Sequence, residues 1–200
     1  MSDAAKVTLS AGELAMANDK NIILTKQAII DKTFLLFGGL VPTITETFQP
    51  IVAPHAALCN AVPKIFKGEN YNGFPYVMMD YPACFEKHHI FAVRTMFWWG
   101  NFISITIQLS GRHKMYWEKN VLKKSASNPH LYVAVGNEEW QHHFEEDNYL
   151  LFSSLNAAQK NDLTTKTFIK IALKYKLHHW NMMQSILPIG YKEIANLLVD

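Results

Sequence analysis

The spacing of apolar and polar positions divides the chain into a helical, a sheet-rich and a second helical third. Ser10-Ala11-Gly12-Glu13 has the form of a capping box, in which a hydroxyl and a carboxylate satisfy each other's free amides at a helix start. A stronger helix is predicted over about 22–37, with Ile23, Ile30, Phe34 and Phe37 on one stripe and Gly38-Gly39 as its stop. Pro42 opens a further helical stretch, and Pro50, Pro54 and Pro63 keep the segment through 63 in short pieces. The polar run Lys64 to Gly73, with Gly68, Asn70, Asn72 and Gly73, reads as a loop.

In the middle third, Phe74–Tyr81, Ile90–Trp99 and Phe102–Ser110 are rich in β-branched and aromatic residues and are bounded by turn residues. Gly100-Asn101 fits a two-residue hairpin turn. Lys114–Lys124 reads as helix, Leu131–Val135 as a strand ended by Gly136, Glu138–Glu145 as a short helix after an Asn137 cap, and Tyr149–Ser153 as a strand. The last forty residues read as helical, with breaks near His178 and at Pro188-Gly190. No repeat or linker interrupts the chain. The expectation is a single α+β domain over 1–200, helical over 1–63, sheet-rich over 64–155 and helical over 156–200. Its centre is an antiparallel meander around 74–110 with one or two further strands, packed by helices from both ends.

A two-residue turn at Gly100-Asn101 sets a definite register. One face of the hairpin then carries Ile90, Ala92, Arg94, Met96 and Trp98 with Ile103, Ile105, Ile107 and Leu109, so that Arg94 faces Ile107 in an apolar setting. A guanidinium keeps its charge, so burial demands a carboxylate, carbonyl oxygens or a bound anion. Three readings follow: Asp80 on the neighbouring strand pairs with Arg94 and fixes the register, Arg94 lines a pocket with Asp80 and Trp98 and holds a small anionic ligand, or the register differs and Arg94 is exposed.

The run Pro63 to Pro82, together with Arg94-Thr-Met-Phe-Trp-Trp-Gly-Asn101, resembles a bacterial protein family with no assigned function. The resemblance spans about a quarter of the chain, and it implies no activity, cofactor or functional residue.

Two cysteines, Cys59 and Cys84, exclude a disulfide framework and an all-cysteine zinc site. The balance of 19 basic and 17 acidic residues is too even to demand a polyanionic partner, and nine histidines make the charge responsive to pH near neutrality. A charged fraction of 18% favours self-association, so a homo-oligomer is expected. The N-terminus lacks a signal-peptide pattern, and the uncharged-looking stretch Thr95–Gly111 is too short to span a bilayer, so a cytoplasmic protein with no membrane partner is expected.

Chemistry-bearing clusters are few. On a helix, Glu139, His142 and Glu146 share one face at three- and four-residue spacings, which suits a divalent metal and makes a metal-dependent enzyme the rival expectation. No second Glu-x-x-His and no His-Glu-x-x-His motif accompanies it. Lys166, Lys170 and Lys174 recur every four residues as the wet stripe of a helix that buries Leu163, Phe168, Ile171 and Tyr175 and ends at His178-His179-Trp180. With Lys114, Lys119, Lys123 and Lys124 they give only a weak case for nucleic acid. Cys84 near His88 and His89 is a conceivable thiolate–imidazole pair, and His55 with Cys59 reads as packing. Phosphate loops, dinucleotide glycine patterns and serine elbows are absent. The expected function is therefore a non-catalytic small-ligand-binding or interaction module with a pocket near Arg94 and no cofactor.

Overall fold

A computed structural model describes residues 7–54 and 62–199, so the His55–Cys59 spacing lies outside the described residues. The capping box forms: Ser10 and Glu13 exchange side-chain and backbone bonds at the start of α1 (Ala11–Asn18). Asp19 caps α2 (Lys20–Val52), which runs unbroken through Gly38, Gly39, Pro42 and Pro50. The glycines and both prolines lie on its exposed side, where a carbonyl that loses its donor still meets water. The opposite stripe, Ile30, Thr33, Phe37, Leu40, Ile44, Phe48 and Val52, is buried, and this packing overrides the local breakers. Ile23, expected on the stripe, is exposed instead. By length and composition α2 is also apolar enough to cross a membrane, with 28% of its most apolar window buried.

Seven strands form one antiparallel sheet in the order β1-β2-β3-β4-β7-β5-β6. They are β1 (Lys64–Tyr71), β2 (Phe74–Glu86), β3 (His89–Trp98), β4 (Phe102–Ser110), β5 (Tyr132–Ala134), β6 (Tyr149–Leu151) and β7 (Phe168–Lys176). Helices α3 (Gly111–Ser125), α4 (Ala157–Thr165) and α5 (Met183–Asn196) complete the α+β fold. The expected loop at 64–73 is therefore an edge strand and a turn. Its lysines and Glu69 are what an edge strand with a single neighbour carries. Asn72 and Gly73, both at positive φ, make the tight two-residue reversal between β1 and β2.

The register of the β3–β4 hairpin differs by one from the expected one. Trp98 pairs with Phe102, so Trp99-Gly100-Asn101 is a three-residue loop. Arg94 consequently faces Thr106, and Val93 takes the place opposite Ile107. A one-residue shift moves every side chain to the other face. Phe91, Val93 and Phe97 join Ile103, Ile105, Ile107 and Leu109 in the large core under α2, α3 and α5. Ala92, Arg94, Met96 and Trp98 join Ser104, Thr106 and Gln108 on the opposite face.

The expected helix over 166–176 is strand β7. Its alternation places Ile169, Ile171 and Leu173 in the core and Lys170 and Lys174 on the face that carries Arg94. Gly190 lets α5 settle on this sheet: a Cβ there would lie 2.2 Å from the Tyr175 hydroxyl and 2.8 Å from Ile105 Cδ1. In place of the expected break, α5 runs through Pro188 and Gly190.

Candidate functional site

The face of the sheet away from the helices is polar at its centre and is covered by an irregular segment, 136–148, which lacks the expected helix over 138–145. Asp80 and Arg94 are directly opposed residues of β2 and β3. The guanidinium donates from Nε to Oδ1 at 2.8 Å and from Nη2 to Oδ2 at 2.7 Å, a bidentate pair. Its remaining nitrogen, Nη1, lies 3.0 Å from Nε2 of His142 on the covering segment. A guanidinium only donates, so Nε2 must be the accepting nitrogen and the ring is neutral. Burial, and then the neighbouring charges of Lys170 and Arg94, hold the imidazole well below its usual pKa. Trp140 lies over the same guanidinium at 6.0 Å.

Three lysines of one strand region fasten this segment. Lys166 Nζ donates to the carbonyls of Val135 and Gly136 and to Asn137 Oδ1. Lys170 Nζ donates to the carbonyl of Glu139 at 3.0 Å and to that of Gln141. Lys174 lies over the rings of Phe102 and Phe144 at 5.3 and 5.2 Å. Tyr71 works from the sheet edge: its hydroxyl accepts from the backbone amides of His142, at 2.6 Å, and His143, at 3.1 Å. Gln108 donates to the Glu139 carboxylate at 3.1 Å. The four-residue lysine spacing thus marks a covered strand face.

Lys170 stands apart chemically. Its side chain is fully buried, at 0% exposure. Desolvation, and then repulsion from Arg94, lower its pKa to about 7, against an opposing pull from Glu139. Among the described residues no carboxylate is within ion-pair distance of its ammonium, and Asp80, the buried acid of this face, is already committed to Arg94. This face therefore buries the Lys170 ammonium beside an Arg94 already matched by Asp80, with the Glu139 carboxylate acting on it only from beyond ion-pair distance.

The residues expected to act here are partly brought together. Asp80, Arg94 and Trp98 share the face, with the Trp98 indole bonded to the Tyr71 carbonyl at 3.1 Å. The metal arrangement does not form: His142 faces Arg94, the Glu139 carboxylate is engaged by Gln108, and Glu146 is exposed. Among the described residues no group of three or more His, Cys, Asp or Glu is placed to hold a metal. Cys84 is fully buried and disulfide-bonded, so it does not form a thiolate pair with His88 or His89. Lys170, Tyr71 and Gln108 were not anticipated; a lysine between two isoleucines in an alternating run was the available signal for the first.

No protein-family model, curated protein or solved structure matches this chain.

Proposed function

We propose that this chain is a non-catalytic module that binds a small anion beneath segment 136–148, between Arg94 and Lys170. The observation that supports it is the unbalanced charge of Lys170, a fully buried ammonium held by carbonyl dipoles with no carboxylate partner. Burying a cation without a counter-ion is costly, and an anion supplied from solution would offset that cost. Arg94, oriented by Asp80 and His142, gives the site a second fixed positive group. Lys170 spends its donors on the carbonyls of Glu139 and Gln141, neutral acceptors that an entering oxyanion can replace.

Isothermal titration with inorganic phosphate, sulfate and acetate at pH 6.5 and constant ionic strength tests this. Saturable binding of at least one of them, weakened tenfold or more in Lys170→Met, supports the module. Absence of saturable heat up to 20-fold above about 1 mM, an affinity worth only about 4 kcal/mol, rejects it. The homo-oligomer belongs to the same proposal and rests on the exposed apolar residues Leu14, Met16, Ile22, Ile23 and Leu24 of α1 and α2. Light scattering across a concentration series tests that part.

A further inference from the structure

On the helix side of the sheet, at the end where β3 turns into β4, a cavity of about 430 Å³ opens between α2 and the turn that follows β7. Its volume lies within the range of small-molecule sites. Ile29, Phe97, Trp99, Leu177 and Trp180 form apolar walls, and Lys32 stands at the rim one turn from Ile29. The rings are set edge to face, with Phe97 6.1 Å from Trp99 and 5.8 Å from Trp180. Such an arrangement presents aromatic surface to an occupant. Lys32 is exposed and has no hydrogen-bond or ion-pair partner among the described residues.

We infer that this cavity is a second binding site, for a small aryl carboxylate whose ring lies among Phe97, Trp99 and Trp180 and whose carboxylate meets the Lys32 ammonium. Aromatic walls alone would equally suit an organic cation, but a lysine at the rim repels one and attracts an anion. The site lies on the opposite face of the sheet from Arg94 and Lys170, so it stands or falls independently of the anion module.

Calorimetric titration of the full chain at pH 7 with 2-naphthoate, its neutral analogue 2-naphthamide and a naphthyl-trimethylammonium salt separates the possibilities. The acid should bind saturably and at least fivefold tighter than the amide. Lys32→Gln, on an exposed position, should erase that preference without changing amide binding. Trp180→Ala should weaken both by tenfold or more, while Lys170→Met should leave both unchanged. No saturable binding of the acid, equal affinity for acid and amide in the parent chain, tighter binding of the ammonium salt, or indifference of acid binding to both Lys32→Gln and Trp180→Ala would each overturn the assignment.

Discussion

Replacing Lys170 by methionine removes a buried charge while keeping an unbranched side chain one atom shorter, and its consequence shows in how stability depends on pH. In the folded chain the ammonium titrates near 7, against 10.5 when solvated. Between those values the unfolded chain holds a proton that the folded chain has released. Unfolding therefore takes up a proton, and stability rises with pH by up to about 1.4 kcal/mol per unit. Below pH 7 both states are protonated and the contribution is flat. Above pH 10 burial of Tyr175 and Tyr191, which raises their pKa values, works in the opposite direction, so the useful window is pH 7 to 9. Over that window the lysine alone should add about 2 kcal/mol. With a urea m-value of about 2 kcal/mol per M, the unfolding midpoint should climb by about 1 M. In Lys170→Met that climb should vanish. Stability at pH 7 alone is uninformative, because the Glu139 and Gln141 carbonyls lose a donor while a buried charge is relieved. Urea melts of both proteins at pH 7, 8 and 9 give the difference directly. An equal climb in parent and variant would refute a buried, titrating Lys170.

His142→Gln should blunt acid destabilisation. Its folded pKa lies below the unfolded 6.5, so the stability it contributes is present above pH 6.5 and is lost as pH falls below it; glutamine keeps an acceptor for Arg94 and does not titrate. Thermal melts at pH 7 and 5 should show a smaller drop in the variant than in the parent. Arg94→Leu leaves Asp80 buried without its partner and should cost about 3–5 kcal/mol, much of it recovered in the Asp80→Leu/Arg94→Leu double variant. Additive losses in denaturant melts would mean the two side chains are not coupled. Gly111→Ala should be the more damaging of two glycine changes at positive φ. Its Cβ would lie 2.1 Å from the His88 carbonyl oxygen, whereas at Gly100 the nearest side-chain atom is 4.0 Å away and only about 1–2 kcal/mol of backbone strain is expected. Similar melting temperatures for the two variants would contradict that ranking.

Much of the architecture was legible because its signals were local. The Ser10–Glu13 box, the aromatic and β-branched runs from Phe74 to Ser110, and the helix around Lys114–Lys124 all depend on neighbours within a few residues. What failed was whatever two periods share. A lysine every four residues is one face of a helix, but four is also twice two, so Lys166, Lys170 and Lys174 equally mark one face of a strand. The intervening Ile169, Ile171 and Leu173 alternate at period two, which the four-residue lysine count does not reveal. Turn length failed for a similar reason. Asn72-Gly73 carries the strong two-residue signal and forms that hairpin, while Gly100-Asn101 is built into a loop one residue longer. The pairing of Asp80 with Arg94 was within reach, because it needed only that β2 and β3 be neighbours. Lys170 needed β7 to be placed beside β4, a contact between distant segments.

The charged groups on the polar face also explain why the sheet holds this register. Arg94 stands opposite Asp80, and Lys170 stands opposite Gln108, whose amide holds the Glu139 carboxylate. Sliding β3 by one residue would turn Arg94 to the core face, where Thr95 now stands opposite Ile105 and bonds the Tyr191 hydroxyl, and would strand Asp80 without a cation. Apolar residues alone already penalise such a slip, since Phe91, Val93 and Phe97 would leave the core. The ion pair adds about 3–5 kcal/mol to that penalty, the cost of breaking a buried pair. Arg94 with Asp80 therefore does structural work whether or not a ligand binds. Lys170 has no such duty toward a carboxylate, and the case for an anion beneath segment 136–148 rests on that lysine more than on the arginine.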